Sequence, residues 1–189
     1  MNILVDTVNQ SLGNLQNKYY AAVKREYGER KSAGINIIEK TTDILITEID
    51  ISIKPITGSK IYYYGEMSIK GVLANEILAD KISVLSSNYI FRRMKDMVDV
   101  YALTHCVEVQ TGEIFDIYDK TKRELQPFDA FLNRAPELEH AYNKLSGVEG
   151  KPDFEIIYSY LNKFLIPFIQ KDYNNKIWDS KKELWRNLL

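Results

Sequence analysis

Cysteine is nearly absent. Cys106 is the only one in 189 residues, so no disulfide forms within the chain and its core must hold the fold. A single thiol fits a reducing compartment, and its place at the end of an apolar helical stretch predicts a core position. Long hydrophobic runs are missing too. None approaches the roughly eighteen residues that a membrane helix needs, and no basic-then-apolar leader opens the sequence, so a cytoplasmic protein without membrane contact is expected. Glycine and proline number 9 and 5, and they form no phosphate loop of the P-loop or dinucleotide type. Neither charge sign dominates, with 25 basic and 26 acidic residues for a formal charge of -1. That balance argues against a protein that grips nucleic acid by overall charge, while leaving room for a local basic patch.

What is present is an apolar share of 45 %, enough at this length for one well-formed core, or one core with a helical extension. The most informative stretch is 73–103, which reads as two amphipathic helices joined at Ser86-Ser87-Asn88. In the first, Ala74, Ile77, Leu78, Ile82 and Leu85 recur at spacings of three and four, and Lys81 falls on the same stripe. An ammonium on a buried face is costly unless it meets a carboxylate or a phosphate. Its other option is to snorkel, with packed methylenes and a wet head. In the second helix Phe91, Met94, Val98 and Tyr101 form the apolar stripe, and Arg92, Asp96 and Asp99 lie along another line. Arg92 with Asp96, and Lys95 with Asp99, could equally be ordinary exposed helix pairs worth about 0.2–0.5 kcal/mol each.

These residues, E-I-L-A-D-K followed after a short gap by F-R-R-M-K-D-M-V-D-V-Y, resemble the closing motifs of the nucleotidyltransferase-like toxins of abortive-infection and type IV toxin–antitoxin systems, the AbiEii/AbiGii group. The resemblance runs from about residue 35 to the C-terminus. It implies an active site containing Lys81 and Asp96, with Asp99 and Lys95 in support and Arg92 and Arg93 beside Lys81 for phosphate. It also implies magnesium and an NTP as cofactors, transfer of a nucleotide to RNA or protein, and an antitoxin protein and a tRNA-like acceptor as partners.

Upstream, two runs read as an antiparallel hairpin, 35–40 and 43–54, joined tightly at Thr41-Thr42. Period-two alternation sets Glu48 and Asp50 side by side on one strand face. Paired carboxylates suit magnesium, although a solvated strand face accounts for them as well. The resemblance favours Asp50, with Glu48 second, as the strand carboxylate of the metal site. The family's Gly-Ser and Asp-x-Asp motifs should precede this hairpin, but Asp6 is the only aspartate before position 43. Gly58-Ser59 is followed by Lys60, Ile61 and a tyrosine run, and is assigned to a hairpin turn. The chain thus resembles a family member without its first metal-binding part, incomplete or inactive alone. The alternative is a non-catalytic module binding a partner protein or tRNA.

Elsewhere, Val5, Val8, Leu12, Leu15, Tyr19 and Ala22 predict one long helix over 2–27, with a polar connection over 28–34. A third strand is expected over 61–70, interrupted at Gly65. Residues 107–118 read as strand or loop, 127–134 and 136–145 as short helices, and 147–153 as a linker. A broad apolar helix begins at Phe154 and is bent by Pro167, and a last helix spans 177–189. The expected class is α+β, an N-terminal helix and small antiparallel sheet followed by a C-terminal helical bundle, a partial nucleotidyltransferase-like fold divided into 1–70 and 71–189. A sheet edge or apolar helix seam left uncovered predicts self-association.

Overall fold

The computed structural model describes residues 2–27, 32–52 and 54–188. The fold is α+β, and the chain separates into two compact units, residues 1–55 and 56–189. The division falls ahead of the tyrosine-rich strands, which belong with the helices that follow them.

In the first unit the long N-terminal helix does not form. Helix α1 spans Asn2–Ser11, a 3-10 turn covers Gly13–Asn17, and strand β1 runs Tyr19–Tyr27. Gly13 adopts φ 50, the left-handed conformation that ends helices. Past it, Tyr19, Tyr20 and Val23 favour a strand. Asn9 secures the switch: its Oδ1 accepts from the Ala21 N–H at 2.7 Å and its Nδ2 donates to the Ala21 carbonyl at 3.2 Å. Strands β2 (Ser32–Glu39) and β3 (Leu45–Ser52) complete an antiparallel sheet of order β1-β2-β3. Of the connection expected over 28–34, residues 28–31 lie outside the described residues and the remainder opens β2. The β2–β3 turn is longer than Thr41-Thr42, with Asp43 in the left-handed region at φ 54. This unit has a small core, Ala21, Ile35 and Ile37 packed with Leu4, Val5 and Val8.

The second unit opens with a separate antiparallel hairpin, β4 (Ser59–Tyr64) and β5 (Met67–Val72), so the expected third strand is two. Gly65 makes their turn at φ 59. Ser59 is already in β4, opposite Val72, so Gly58-Ser59 is a strand entry and no hairpin turn. Seven helices follow: α2 (Ala74–Leu85), α3 (Lys95–Cys106), α4 (Thr111–Thr121), α5 (Asp129–Asn133), α6 (Ala135–Asn143), α7 (Phe154–Phe164) and α8 (Ile166–Ile169). A 3-10 turn, Asn88–Arg92, lies between α2 and α3. Among the described residues no helix is long and apolar enough to cross a membrane.

Helix α4 replaces the expected strand or loop. Thr111 and Gly112 look like a turn in sequence, but Gly112 is small for another reason: a Cβ there would lie 2.9 Å from the Asn175 side chain. Thr111 Oγ1 donates to the Asn174 carbonyl at 2.7 Å and accepts from Lys176 N–H at 2.9 Å. Pro167 divides α7 from α8, since it has no N–H to continue the helical ladder. The expected last helix is a hairpin, β6 (Lys176–Asp179) and β7 (Leu184–Asn187), with Trp178 opposite Trp185. Cys106 is exposed, not core.

One continuous core joins Leu78, Ile82 and Leu85 of α2 to Met97 and Val100 of α3, Phe131 of α5, Leu138 of α6, and Leu161 and Phe164 of α7. Tyr160 is its polar centre. The Tyr160 hydroxyl accepts from Trp178 Nε1 at 2.8 Å and shares a hydrogen bond with Thr104 Oγ1 at 2.8 Å. Replacing Tyr160 by Phe strands the buried Trp178 Nε1–H, while Thr104 Oγ1 keeps its bond to the Tyr101 carbonyl, and should cost about 1–3 kcal/mol. Urea denaturation checks this, and an unchanged midpoint would show that the Trp178 N–H finds another partner.

Candidate functional site

Helices α2 and α3 meet across the second unit's core, and their facing sides carry charge as well as apolar groups. On α2 the buried face is Glu76, Leu78, Ala79, Ile82 and Leu85, one position displaced from the sequence stripe at Ala79 and with Ile77 left exposed. Lys81 lies at the border of this face, and its side chain is only 15 % exposed. On α3 the buried face is Asp96, Met97, Val100 and Thr104. Asp96 and Asp99 are three apart, so both carboxylates project from one side of α3. Asp96 also occupies the first helical turn, where the helix dipole favours a negative charge.

Lys81 Nζ donates to Asp96 Oδ1 at 3.0 Å and to Asp99 Oδ2 at 2.5 Å. Asp96 is nearly enclosed, with 4 % of its side chain exposed. Arg93 Nη2 donates to Asp96 Oδ1 at 3.2 Å and lies 2.9 Å from Oδ2, which is buried and accepts no hydrogen bond. Arg92 and Lys95 form no ion pair with Asp96 or Asp99, so the ordinary helix pairs are not made and Lys81 does not snorkel. Burial pulls the Lys81 ammonium toward neutrality, but the hydrogen bonds it donates to Asp99 and Asp96 and their charges outweigh it and hold its pKa above the ordinary lysine value.

The pair opens into a cleft of about 570 Å³ lined by Lys81, Phe91, Arg92, Arg93, Met94, Lys95, Asp96, Asp99, Ala141, Lys144 and Leu145. Five cations face two carboxylates, so the cleft is electropositive in a chain that is nearly neutral overall. Phe91 is held by the Arg134 guanidinium 4.3 Å above its ring. A second cavity, of about 620 Å³, shares Arg92 and is lined also by Ser86, Ser87, Asn88, Tyr89, Gln126, Pro127, Asp129 and Ala130. Its two walls are tied together: Ser86 Oγ accepts from Gln126 N–H at 3.0 Å and the Ser86 carbonyl accepts from Phe128 N–H at 3.0 Å. Sequence reading placed Lys81, Arg92, Arg93, Lys95, Asp96 and Asp99 in one neighbourhood and missed Lys144, which arrives from just past the end of α6 with no local signal.

Glu48 and Asp50 belong to the first unit. Lys24 Nζ lies 2.5 Å from Glu48 Oε2, and Asp50 pairs in register with Gly34. Among the described residues no group of three or more His, Cys, Asp or Glu could hold a metal ion. Glu48, already neutralised by Lys24, does not fit the magnesium pair that alternation suggests, whereas that contact leaves untouched Asp50, the strand carboxylate the resemblance favours. A buried clamp that sequence reading also missed is Glu76, whose carboxylate accepts from the Thr57 N–H at 3.0 Å and the Thr57 hydroxyl at 3.1 Å. It fixes the chain leading into β4 on the first turn of α2.

Set against known proteins, the chain matches no protein-family model, no curated protein and no solved structure.

Removing one partner of a buried ion pair leaves the other uncompensated. Lys81→Ala should therefore destabilise the second unit by about 3 kcal/mol, at the low end for such changes because Arg93 still contacts Asp96. Lys81→Met combined with Asp96→Leu should recover most of the loss in urea denaturation; a single-variant cost below about 0.5 kcal/mol would place the pair among ordinary surface contacts. Because folding raises the pKa of Lys81, its stabilisation is complete below the ordinary value of 10.5 and is lost as pH rises through the folded value. The stability gap between wild type and Lys81→Met should stay constant from neutral pH to near 10 and close above it.

Proposed function

We propose that this chain is the phosphate-binding part of a nucleotidyltransferase-like protein of the abortive-infection toxin group, binding the triphosphate of an NTP without transferring it alone. The observation that carries the reading is Lys81 held between Asp96 and Asp99 at the mouth of a cleft rimmed by Arg92, Arg93, Lys95 and Lys144. A lysine tied by two carboxylates keeps its position and its charge, and still has one donor left for a ligand. The arginines bring planar donor forks suited to phosphate oxygens. The motif resemblance supplies the chemical class, and the order of lysine, arginine pair and aspartates agrees with the cleft that those residues share.

Catalysis is a separate matter. In-line transfer needs the attacking and leaving oxygens clamped by metal, and the carboxylates for that are missing from the sequence motifs and from the described residues alike. In the complete protein, magnesium and further carboxylates would come from elsewhere, with Lys81 neutralising phosphate charge and Asp96 positioning Lys81. Antitoxin and RNA partners, and a cytoplasmic setting, belong to the same proposal.

Inorganic tripolyphosphate is the direct probe. Calorimetry should show binding that weakens by roughly tenfold or more between about 50 and 300 mM salt. Arg93→Glu with Lys144→Glu should abolish it while the fold stays intact by circular dichroism. Purified alone, with magnesium and each of the four NTPs, the chain should incorporate no labelled nucleotide. Absence of tripolyphosphate binding would overturn the reading in favour of a partner-binding module, and incorporation would overturn the claim of incompleteness.

A further inference from the structure

The β4–β5 hairpin is the least satisfied element of the second unit. Every residue of β4 is exposed, as are the first four of β5, and Tyr63 and Tyr64 are 78 % and 77 % exposed. A two-stranded ribbon with neither face covered is at best marginally stable in water. Ordering six-residue strands rich in Tyr and Ile without burying them gives little return, and among the described residues this pair forms its own sheet with no third strand.

The outer edge of β4 has a definite hydrogen-bonding pattern. Tyr64 pairs with Met67 across the Gly65-Glu66 turn, with Tyr62 opposite Ile69 and Lys60 opposite Gly71. In a hairpin with a two-residue turn the residues flanking the turn exchange hydrogen bonds, and the alternation continues down the strand. Tyr64, Tyr62 and Lys60 therefore aim their backbone groups at β5, while Tyr63, Ile61 and Ser59 aim theirs outward. Tyr62 keeps this edge clear. Its ring lies over Gly71, where a Cβ would come within 3.2 Å, and its hydroxyl donates to the Val72 carbonyl at 2.8 Å.

We infer that this edge is a self-complementary docking strand and that its occupant is β4 of a second copy of the chain. Two β4 strands related by a two-fold axis at Tyr62 run antiparallel, with Ile61 of each opposite Tyr63 of the other. Those are the outward-facing residues, so each pair exchanges two backbone hydrogen bonds. In the same register Lys60 lies opposite the exposed Tyr64 ring, so the one charged residue of β4 meets an aromatic face across the axis. A one-residue slip loses this match and sets inward-facing backbone groups against the new edge. The result is a four-stranded sheet, β5-β4-β4-β5, with Tyr62, Tyr64, Met67 and Ile69 on one face. The contact is small beside the roughly 800 Å² per partner of a standard interface, so the dimer is reversible, with dissociation on the order of tens of micromolar.

Sedimentation equilibrium of the full chain over about 5–500 µM is the test, chosen to bracket that dissociation range. Wild type should pass from monomer to dimer. Ile61→Pro deletes an outward N–H while leaving the inward ladder, and should give a monomer throughout. Tyr64→Ala removes the ring opposite Lys60 and should weaken association by about fivefold to tenfold. A strict monomer at every concentration would overturn the inference and leave the edge to some other partner. A dimer indifferent to Ile61→Pro and to Tyr64→Ala would overturn it as well, placing association on another surface.

Discussion

One ammonium group organises the second unit. Lys81 sits at the border of a buried helix face with only 15 % of its side chain exposed, and the Asp96 and Asp99 carboxylates of α3 supply the compensation. A buried ion pair is a weak source of stability, because desolvation of both charges offsets most of their attraction. Apolar residues at positions 81 and 96 together would serve the core more simply. What the charged arrangement provides is a fixed cation at the mouth of a cleft, with Arg92, Arg93, Lys95 and Lys144 around it. The nearly neutral composition of the whole chain hides this, although Arg92, Arg93 and Lys95 are already neighbours in sequence and folding brings Lys81 and Lys144 to them.

The Lys81 contact was legible before any coordinates because helical periodicity is a strong signal over twelve residues. Spacing put Lys81 with Leu78, Ile82 and Leu85, and a lysine there demanded an anion. The same rule failed where two periods coincide. Trp178 and Trp185 are seven apart, two turns of one helical face, yet across the Asp179–Leu184 connection the same spacing makes a cross-strand pair. Val5 to Ala22 failed for a related reason: steps of three and four continued by chance through Gly13, and only the Asn9 bridge to Ala21 shows where helix gives way to strand. Gly112 was misread because a glycine chosen for close approach to Asn175 looks, in sequence, like one chosen for a turn.

Glu48 and Asp50 mark the limit of strand alternation as a guide to chemistry. Alternation placed both carboxylates on one face, but not Lys24 beside Glu48, because the partner comes from β1 at a register no local pattern encodes. Lys144, just past the end of α6, and Thr57 on Glu76 were invisible for the same reason. Residues that meet through tertiary packing carry no mark of it in their immediate neighbours, so the candidate site was read from its α2 and α3 contributions alone.

The central claim is that Lys81 is a fixed ammonium, paired with Asp96 and Asp99 and presented to an anion. Nitrogen-edited NMR of lysine side chains observes that group itself. The account predicts a resolved Lys81 ammonium signal at neutral pH, protected from solvent exchange, absent in Lys81→Met, and displaced on addition of tripolyphosphate. A Lys81 signal that exchanges as freely as the surface lysines, or one that ignores tripolyphosphate while Arg and other Lys signals respond, would contradict it.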